Sequence, residues 1–135
     1  LVQQTPHEPF RIVEKDAYFH AQAEVAGDWR TLYRFDLSEH HEADYAISSY
    51  YLSTNPASRF VTELVAARAL PDRRYALSGN RLTVHHPGGQ SERREIGTAG
   101  ELADTLEATF GINLPDRPAF EARAKEKRIV PQGGR

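Results

Sequence analysis

Alternation of apolar and polar residues with a period of two, broken by short turns, constrains the fold of this chain more than any other feature. In Tyr18–Val25, four residues with apolar side chains fall on one face: Phe19, Ala21, Ala23 and Val25. After a turn at Gly27-Asp28, the next segment is predicted to place four side chains on a shared face: Trp29, Thr31, Tyr33 and Phe35. With Phe10–Val13 as a further strand, the pattern predicts an antiparallel group with one aromatic-rich side facing a core.

The second half of the chain repeats the strand pattern in shorter segments. Leu64–Leu70 leads through Pro71-Asp72 into a predicted three-stranded antiparallel meander. The strands of this meander are Tyr75–Leu77, Leu82–His85 and Arg93–Ile96. The glycine-containing turns Ser78-Gly79-Asn80 and Pro87-Gly88-Gly89 separate them.

A helix is predicted to follow the meander. Thr98 at the N-cap and Glu101 at the third helical position form a capping box. Leu102, Leu106 and Phe110 repeat every four residues and make an apolar stripe, which should pack on the meander. Gly111 is placed to end the helix.

Two further helices are indicated by weaker signals. Residues Ser38 to Tyr51 have a helical pattern, with Ser38 as the expected N-cap and Glu39 near the positive end of the helix dipole. Beyond Pro118 a short charged helix is predicted, in which Glu121 precedes Lys125 by one turn. Pro131 to Arg135 is expected to be a disordered tail.

Composition excludes several classes of function. The chain has 135 residues, a net charge of -2 and a pI near 6.3, which argues against a nucleic-acid partner. It has no run of about 18 apolar residues for a membrane span, and its first residues lack the pattern of a signal peptide, so a cytoplasmic setting is expected. Zero cysteines exclude disulfides and thiolate metal sites.

Two pairs of adjacent histidines do not predict a metal site. His40 and His41 would point about 100° apart on a helix. His85 and His86 would alternate across a strand. A tetrahedral site needs three or four converging ligands, so we expect no metal.

The run Tyr50 to Phe60 combines aromatic, hydroxyl and proline residues in an order that neither a core nor an ordinary loop requires. It resembles the start of the third domain of the arylamine N-acetyltransferases, which has the pattern Asn-x-Tyr-x-Ser-Thr-x-Pro-x-Ser-x-Phe. Four other segments resemble landmarks of that family in the same order: Gln4–His7, Trp29–Leu37, Arg81–His85 and Phe110–Pro115. Ser49 departs from the pattern, because the family has Asn at that position.

The resemblance implies an α+β fold in which antiparallel strands from the end of a β-barrel domain precede a linker helix and a small antiparallel sheet packed with a C-terminal helix. It assigns residues 1–37 to the last barrel strands, 38–50 to the linker helix and 51–120 to the third, lid-like domain. Residues 121–135 would be a charged helix and tail. The family also places a strand where Phe60, Leu64 and Ala67 fit a helical face, so at most one helical turn is expected around Pro56 to Phe60.

The missing cysteine limits what this chain can do alone. Enzymes of the family use a Cys-His-Asp triad, whose cysteine takes the acetyl group from acetyl-CoA and passes it to an arylamine or hydrazine. This chain has no cysteine and no start methionine. It is therefore expected to be an inactive C-terminal part that needs the N-terminal catalytic part as its partner, with no catalytic residue of its own. The segment containing His7 does not correspond to the triad histidine.

The resemblance places Tyr51, Thr54 and Ser58 at coenzyme A and Phe60 at the aryl acceptor. The alternative for the hydroxyl groups is that they cap a turn or a short helix. Three other functions stay open: a part of a macrolactam-forming amide synthase of the same fold, a separate coenzyme A-binding module, and a non-catalytic interaction domain. A phosphate-binding module would need a glycine-rich loop between a strand and a helix, and the sequence shows none. An interaction domain would self-associate through its open strand edges.

Overall fold

The computed structural model describes residues 1–131, in which the strands form two four-stranded antiparallel sheets. Sheet one contains strands in the order β1-β2-β3-β4, so every strand pairs with its neighbour in sequence. Its strands are β1 (Val2–Gln3), β2 (Phe10–Lys15), β3 (Tyr18–Val25) and β4 (Asp28–Phe35). Sheet one stays open within the described residues, with β1 and β4 at its edges, and does not close into a barrel.

Sheet two is a meander of four strands in the order β5-β6-β7-β8. Its strands are β5 (Val65–Leu70), β6 (Arg73–Ser78), β7 (Arg81–His85) and β8 (Ser91–Glu95). The three predicted strands of the meander are present, and the leading segment, where the family resemblance implied a strand, pairs with β6 from Val65↔Ser78 to Leu70↔Arg73.

A β-bulge in β4 overturns one predicted face. Tyr33 pairs with Ala21 but Thr31 pairs with Gln22, so Leu32 is an extra residue opposite the Ala21/Gln22 step. An extra residue reverses the alternation of side chains between faces. Tyr33 therefore shares the apolar face of Ala21, whereas Thr31 accepts a hydrogen bond from Gln22 on the opposite, polar face.

Trp29 lies on the same polar face as Thr31. The Arg11 guanidinium lies 4.1 Å from the centre of the Trp29 ring and donates a 2.8 Å hydrogen bond to Gln22. The predicted shared face of Trp29, Thr31, Tyr33 and Phe35 is thus wrong. Of these four residues, only Tyr33 and Phe35 lie on the apolar side of sheet one.

Helix α1 (Glu42–Thr54) connects the two halves and starts later than predicted. Ser38 is not its N-cap, because the Ser38 N–H is held by the Asp36 carboxylate in a local turn at 2.9 Å. His41 occupies the N-cap position, and its N–H donates to the Asp44 carboxylate at 2.9 Å. His40 and His41 consequently precede the helix rather than lying within it.

The short helix α2 (Arg59–Thr62) is the single helical turn that was expected near Pro56 to Phe60, but it begins three residues later. Ser58, at its N-cap, has φ -73° and ψ 127°, so the chain is still extended there. The preceding residues form a tight turn at Asn55, which delays the helix. Strand β5 follows, as expected from the resemblance.

The core lies between sheet two and the helix that begins with α3 (Ala99–Asp104). Thr98 accepts a 3.1 Å hydrogen bond from the Glu101 N–H, which confirms the predicted cap. The Glu101 carboxylate accepts from the Gly97 N–H at 3.0 Å, one residue before the N-cap. The helix continues as a π-helical turn over Thr105–Thr109 and ends before Gly111, whose φ is 70°.

The predicted apolar stripe is confirmed as core. Leu102, Leu106 and Phe110 are all buried, and they pack with residues of sheet two that include Leu77 and Leu82. Phe110 also meets Tyr75 edge-on, with ring centres 6.3 Å apart. Burial of large apolar side chains is the main stabilising contribution in such a core.

Helix α4 (Arg117–Glu126) packs against α3, contributes Ala124 to this core and starts before Pro118, which occupies its first turn. The Arg117 guanidinium forms ion pairs with Asp104, Glu107 and Glu121, tying α4 to α3 and the π-helical turn. Buried side chains continue to Val130, so this segment belongs to the core rather than forming a solvated end. Of the predicted tail, residues 132–135 lie outside the described residues.

Candidate functional site

The run Tyr50 to Phe60 forms a bend between α1 and α2. Asn55 makes the turn, because its side-chain oxygen accepts from the Ala57 N–H at 2.8 Å and its carbonyl accepts from the Ser58 N–H at 2.8 Å. Pro56 fits this geometry, since its ring fixes its own φ and favours an extended residue before it. Asn55 is indeed extended, with φ -70° and ψ 126°. The bend is therefore an ordered structure.

Ser58 is the internal support of the bend. Its hydroxyl donates a 2.7 Å hydrogen bond to the Leu52 carbonyl in the last turn of α1, and the residue is only 3% exposed. Its own carbonyl accepts from the Thr62 hydroxyl at 3.1 Å. Sequence reasoning had no signal for this burial, because a serine in a polar segment gives no indication of the direction of its side chain.

The hydroxyls of Ser53 and Thr54 also donate to backbone carbonyls. Thr54 Oγ1 donates to the Tyr50 carbonyl at 2.6 Å, and Ser53 Oγ donates to the Ser49 carbonyl at 2.8 Å. A hydroxyl has one proton but two acceptor lone pairs. In this arrangement the exposed Thr54 hydroxyl can accept a hydrogen bond from an N–H or O–H group of a ligand, while its proton is engaged within the chain.

The aromatic residues of the bend face outward. Tyr51 is 49% exposed on α1, and Phe60 is 66% exposed on α2. Tyr51 and Thr54 are three positions apart on α1, a spacing that places both on one side of the helix. The structure therefore brings an aromatic face and a hydroxyl oxygen together on α1, with Ser58 beneath the bend and Phe60 beyond it.

A cleft of about 520 Å³ lies between the bend and α4. It is lined by Pro56, residues 61–64, Arg123 and Lys127, and it contains none of the four side chains predicted to bind ligand. The sequence indicated a charged C-terminal helix but gave no sign that it would lie beside the bend. That placement follows from the packing of α4 on the core.

A second cavity, of about 380 Å³, lies on the apolar side of sheet one. Phe10, Ile12, Ala21 and Tyr33 contribute to its walls, together with residues of the first strand and the loop after it. Ile12 is 58% exposed and Tyr33 is 63% exposed. Exposed apolar groups around a concave surface are typical of a binding or protein-interaction face.

Other kinds of site are not found in the part of the chain that the structure describes. No group of three or more metal-ligating side chains converges there. His85 and His86 each make a separate contact, with Ser91 at 2.8 Å and with Glu92 at 3.0 Å. Among the helices up to residue 131, none is long and apolar enough to cross a membrane.

The sequence and the fold agree with one protein family. Residues 1–119 match the family described as N-acetyltransferase. The arylamine N-acetyltransferase of Mycobacterium tuberculosis is 43% identical over 128 residues, which are 93% of this chain and 45% of that protein. That of Mycolicibacterium smegmatis is 35% identical over 96% of this chain and 46% of its own length.

Solved structures show the same relationship. The M. tuberculosis arylamine N-acetyltransferase superposes with a TM-score of 0.85 at 42% identity, covering 92% of this chain and 47% of that one. The Mycobacterium marinum enzyme, in complex with CoA, has a TM-score of 0.84 at 36% identity, covering 93% and 47%. The fold and the sequence thus define an acyltransferase-type chain. It belongs to the arylamine N-acetyltransferase family, and it spans about half the length of the relatives it matches.

Proposed function

We propose that this chain forms the C-terminal, cleft-closing part of an arylamine N-acetyltransferase, an enzyme that moves an acetyl group from acetyl-CoA to an arylamine or hydrazine. The family membership supports the reaction class, and the M. marinum relative with bound CoA supports coenzyme A as the carrier. The proposal keeps the division of the chain into barrel strands (1–37), linker helix (38–50), lid domain (51–120) and C-terminal helix and tail (121–135).

The single observation that carries the proposal is that large apolar side chains of α1 and of sheet one are exposed to solvent. None of the residues of α1 is buried, although the helix contains exposed Tyr45, Ile47, Tyr50 and Leu52. The apolar side of sheet one is similarly open at Ile12. Large apolar side chains that are exposed together along a helix and a sheet face are typical of an interaction surface. These surfaces are the faces that the catalytic part would cover.

The chemistry requires that second part. In the proposed reaction a cysteine thiolate attacks the acetyl carbonyl, the carbon–sulfur bond to coenzyme A breaks, and coenzyme A leaves with the electron pair of that bond. The amine then attacks the thioester, loses a proton and releases the cysteine. This chain has no cysteine, so the acetyl group must be held by the partner. The chain alone is proposed to be inactive.

The bend supplies the contacts of this part with both substrates. Tyr51, Thr54 and Ser58 are proposed to contact acetyl-CoA, with the exposed Tyr51 ring and the Thr54 oxygen accessible on α1. Ser58 also fixes the bend through Leu52. Phe60, on the other arm of the bend, is proposed to meet the aryl ring of the acceptor, where offset stacking adds about 0.5–1.5 kcal/mol beyond burial.

The test is assembly with the missing part. The segment of the M. tuberculosis relative that this chain does not match would be expressed, mixed with the chain and examined by analytical ultracentrifugation. We expect a one-to-one complex. Ile12→Asp should abolish it, because a charge would replace an apolar contact.

Ile112→Asp is the matched control, because Ile112 is also exposed, at 41%, but follows the π-helical turn and is not part of sheet one. It should leave the complex intact. If the mixture shows only separate components, the proposed part-and-partner relationship is wrong. If the chain instead associates with itself and Ile12→Asp prevents this, the interaction-domain alternative is supported.

A further inference from the structure

The loop between β1 and β2 presents a buried carboxylate to sheet two. Glu8 Oε1 lies 2.6 Å from Arg74 Nη2 on β6, and the Glu8 side chain is only 6% exposed. Thr5 holds the loop in place, since its hydroxyl donates to the Glu8 carbonyl at 2.7 Å and accepts from the His7 N–H at 3.3 Å. A carboxylate at this level of burial depends strongly on its partner.

A second contact between the sheets lies at two turns. Gly89, between β7 and β8, approaches Ala26, between β3 and β4, so closely that a Cβ at Gly89 would lie 3.0 Å from the Ala26 Cβ. The neighbouring Gly88 has a similar φ, 86° against 90°, but a Cβ there would meet nothing within 4 Å. Only position 89 requires glycine for close approach as well as for its backbone conformation.

The two contacts hold the same pair of sheets at different points. His85, on β7, is a neighbour of both contacts. It pairs with Arg74 on β6, and it pairs with Ser91, the first residue of β8 after the Gly89 turn. The pKa of His85 is lowered, first by burial and then by the charges of Arg74 and Arg93, whereas the Glu8 carboxylate opposes the shift. His85 therefore lies close enough to the Glu8–Arg74 contact to sense both of its charges.

We propose that Glu8–Arg74 and Ala26–Gly89 form a two-point latch that restricts the angle between the sheets, and that these are positioning residues for the cleft through which acetyl-CoA reaches the thiol. One contact alone permits rotation in every direction about it, whereas two separated contacts leave rotation only about the line that joins them. The role in the cleft rests on the proposed function. The latch itself is a property of this chain.

The latch can be tested without any activity, because the chain has no native cysteine to interfere with labelling. Spin labels would be attached at Lys15→Cys on β2 and Glu95→Cys on β8, both exposed, and the distance between them measured by pulsed electron resonance. We expect one narrow distance distribution for the parent chain. Gly89→Ala should shift and broaden it, whereas Gly88→Ala should not.

Rescue distinguishes the contact from backbone strain. Both alanine variants impose a left-handed φ on a residue with a Cβ, but only Gly89→Ala meets Ala26. Adding Ala26→Gly to Gly89→Ala should therefore narrow the distribution again. If Gly88→Ala and Gly89→Ala give the same distribution, or if Ala26→Gly restores nothing, the Ala26–Gly89 half of the latch is wrong.

The Glu8–Arg74 ion pair is tested with the same spin-label distance measurement. Arg74→Gln should broaden the distribution, and Glu8→Gln added to it should partly restore it, because the unpaired buried charge is then removed. Arg73→Gln is the control, since the Arg73 partner Asp72 is the adjacent residue and is exposed. An unchanged distribution in Arg74→Gln would overturn this half of the latch.

In the enzyme reconstituted from the chain and its catalytic part, Gly89→Ala should raise the KM for acetyl-CoA about tenfold with kcat unchanged, as loss of uniform binding does. Simple misfolding would lower the active fraction and hence kcat, and would leave KM in place. An unchanged KM would reject the role in the cleft. Failure of reconstitution would reject the proposed function, while the distance measurements would still decide the latch.

Discussion

The Ser58 hydroxyl closes a loop of the backbone by donating to the Leu52 carbonyl at 2.7 Å, six residues earlier in the chain. The bond does not cap α2, although Ser58 stands at the N-cap of that helix. It joins the last turn of α1 to the first turn of α2 instead. Together with the turn at Asn55, this buried hydroxyl sets the relative direction of the two helices and with it the separation of Tyr51 from Phe60.

Ser58→Ala should destabilise the chain more than Thr54→Ala. Removing the Ser58 hydroxyl leaves the Leu52 carbonyl without its partner in a part-buried position, which costs about 1–3 kcal/mol. Thr54 is exposed, so water can replace its bond to Tyr50, and its loss should cost no more than about 0.5 kcal/mol. Urea unfolding with a constant m-value measures both. Equal midpoints for the two variants would contradict the role assigned to Ser58.

The same bend should separate the two half-reactions of the reconstituted enzyme. Thr54→Ala or Ser58→Ala should weaken the use of acetyl-CoA by about tenfold, since one hydrogen bond contributes roughly 0.5–1.5 kcal/mol. Phe60→Ala should mainly slow transfer to the aryl acceptor and leave acetylation of the thiol close to normal. Rapid quenching can follow enzyme acetylation, and absorbance can follow the acceptor.

The unfolding data for Ser58→Ala and Thr54→Ala serve as the control for this experiment, because they show whether a kinetic loss merely reflects unfolded protein. Unchanged acetyl-CoA kinetics in both hydroxyl variants, together with slower enzyme acetylation in Phe60→Ala, would show that the assignment of cofactor and acceptor roles is reversed or absent. The hydroxyls would then serve only to hold the bend.

Residues 51–120 should be more stable in the isolated chain than residues 1–37. The buried cluster that includes Leu77, Leu102 and Leu106 belongs to the second half. The apolar side of sheet one has large side chains such as Tyr33 in solvent. Open sheets with an uncovered face unfold locally at low free energy. Hydrogen exchange should show faster exchange in β2 to β4 than in β6 and β7, and uniform protection without self-association would refute this expectation.

The sequence predicted those features that depend on local pattern. The alternation located β2 and β3, and the spacing of Leu102, Leu106 and Phe110 identified the main buried helix. Thr98 was identified as its cap because capping uses residues close in sequence. In each case a periodic or local signal agreed with the tertiary structure. The α+β fold class, which the family resemblance implied, is also confirmed.

Features that depend on distant packing were missed or misplaced. A single extra residue at Leu32 reverses the side-chain alternation in β4, and no local signal in the sequence marked the bulge. Helix α1 starts later than predicted because the Asp36 carboxylate holds the Ser38 N–H in a local turn, while the Asp44 carboxylate accepts from the His41 N–H at the observed N-cap. In the candidate site, the residue types of the bend were predicted, but the inward direction of Ser58 was not.

Acid should weaken the cap of α3 through Glu101. The pKa of Glu101 is lowered, first by the hydrogen bond from the Gly97 N–H and then by that from Arg94. A carboxylate whose pKa is lower in the folded state adds stability above its ordinary pKa, and this stability is lost as the pH falls through the folded-state pKa. The loss should therefore occur below the ordinary value of 4.5.

Glu101→Gln should reduce this acid dependence, because the neutral side chain keeps a hydrogen-bonding oxygen but does not titrate. Glu95→Gln, on exposed strand β8, is the matched control and should leave the dependence unchanged. Thermal unfolding between neutral pH and the acid range measures the difference. A parallel dependence in the parent chain and in Glu101→Gln would contradict the assignment.

Acetyl transfer to an aminobenzoate by the chain alone, by the unmatched part of the M. tuberculosis relative alone, and by their mixture tests the proposed function most directly. The proposal predicts no turnover by the chain alone, since it has no cysteine, and turnover by the mixture that a thiol-blocking reagent abolishes. Turnover by the chain alone above the uncatalysed background, and insensitive to thiol reagents, would contradict it.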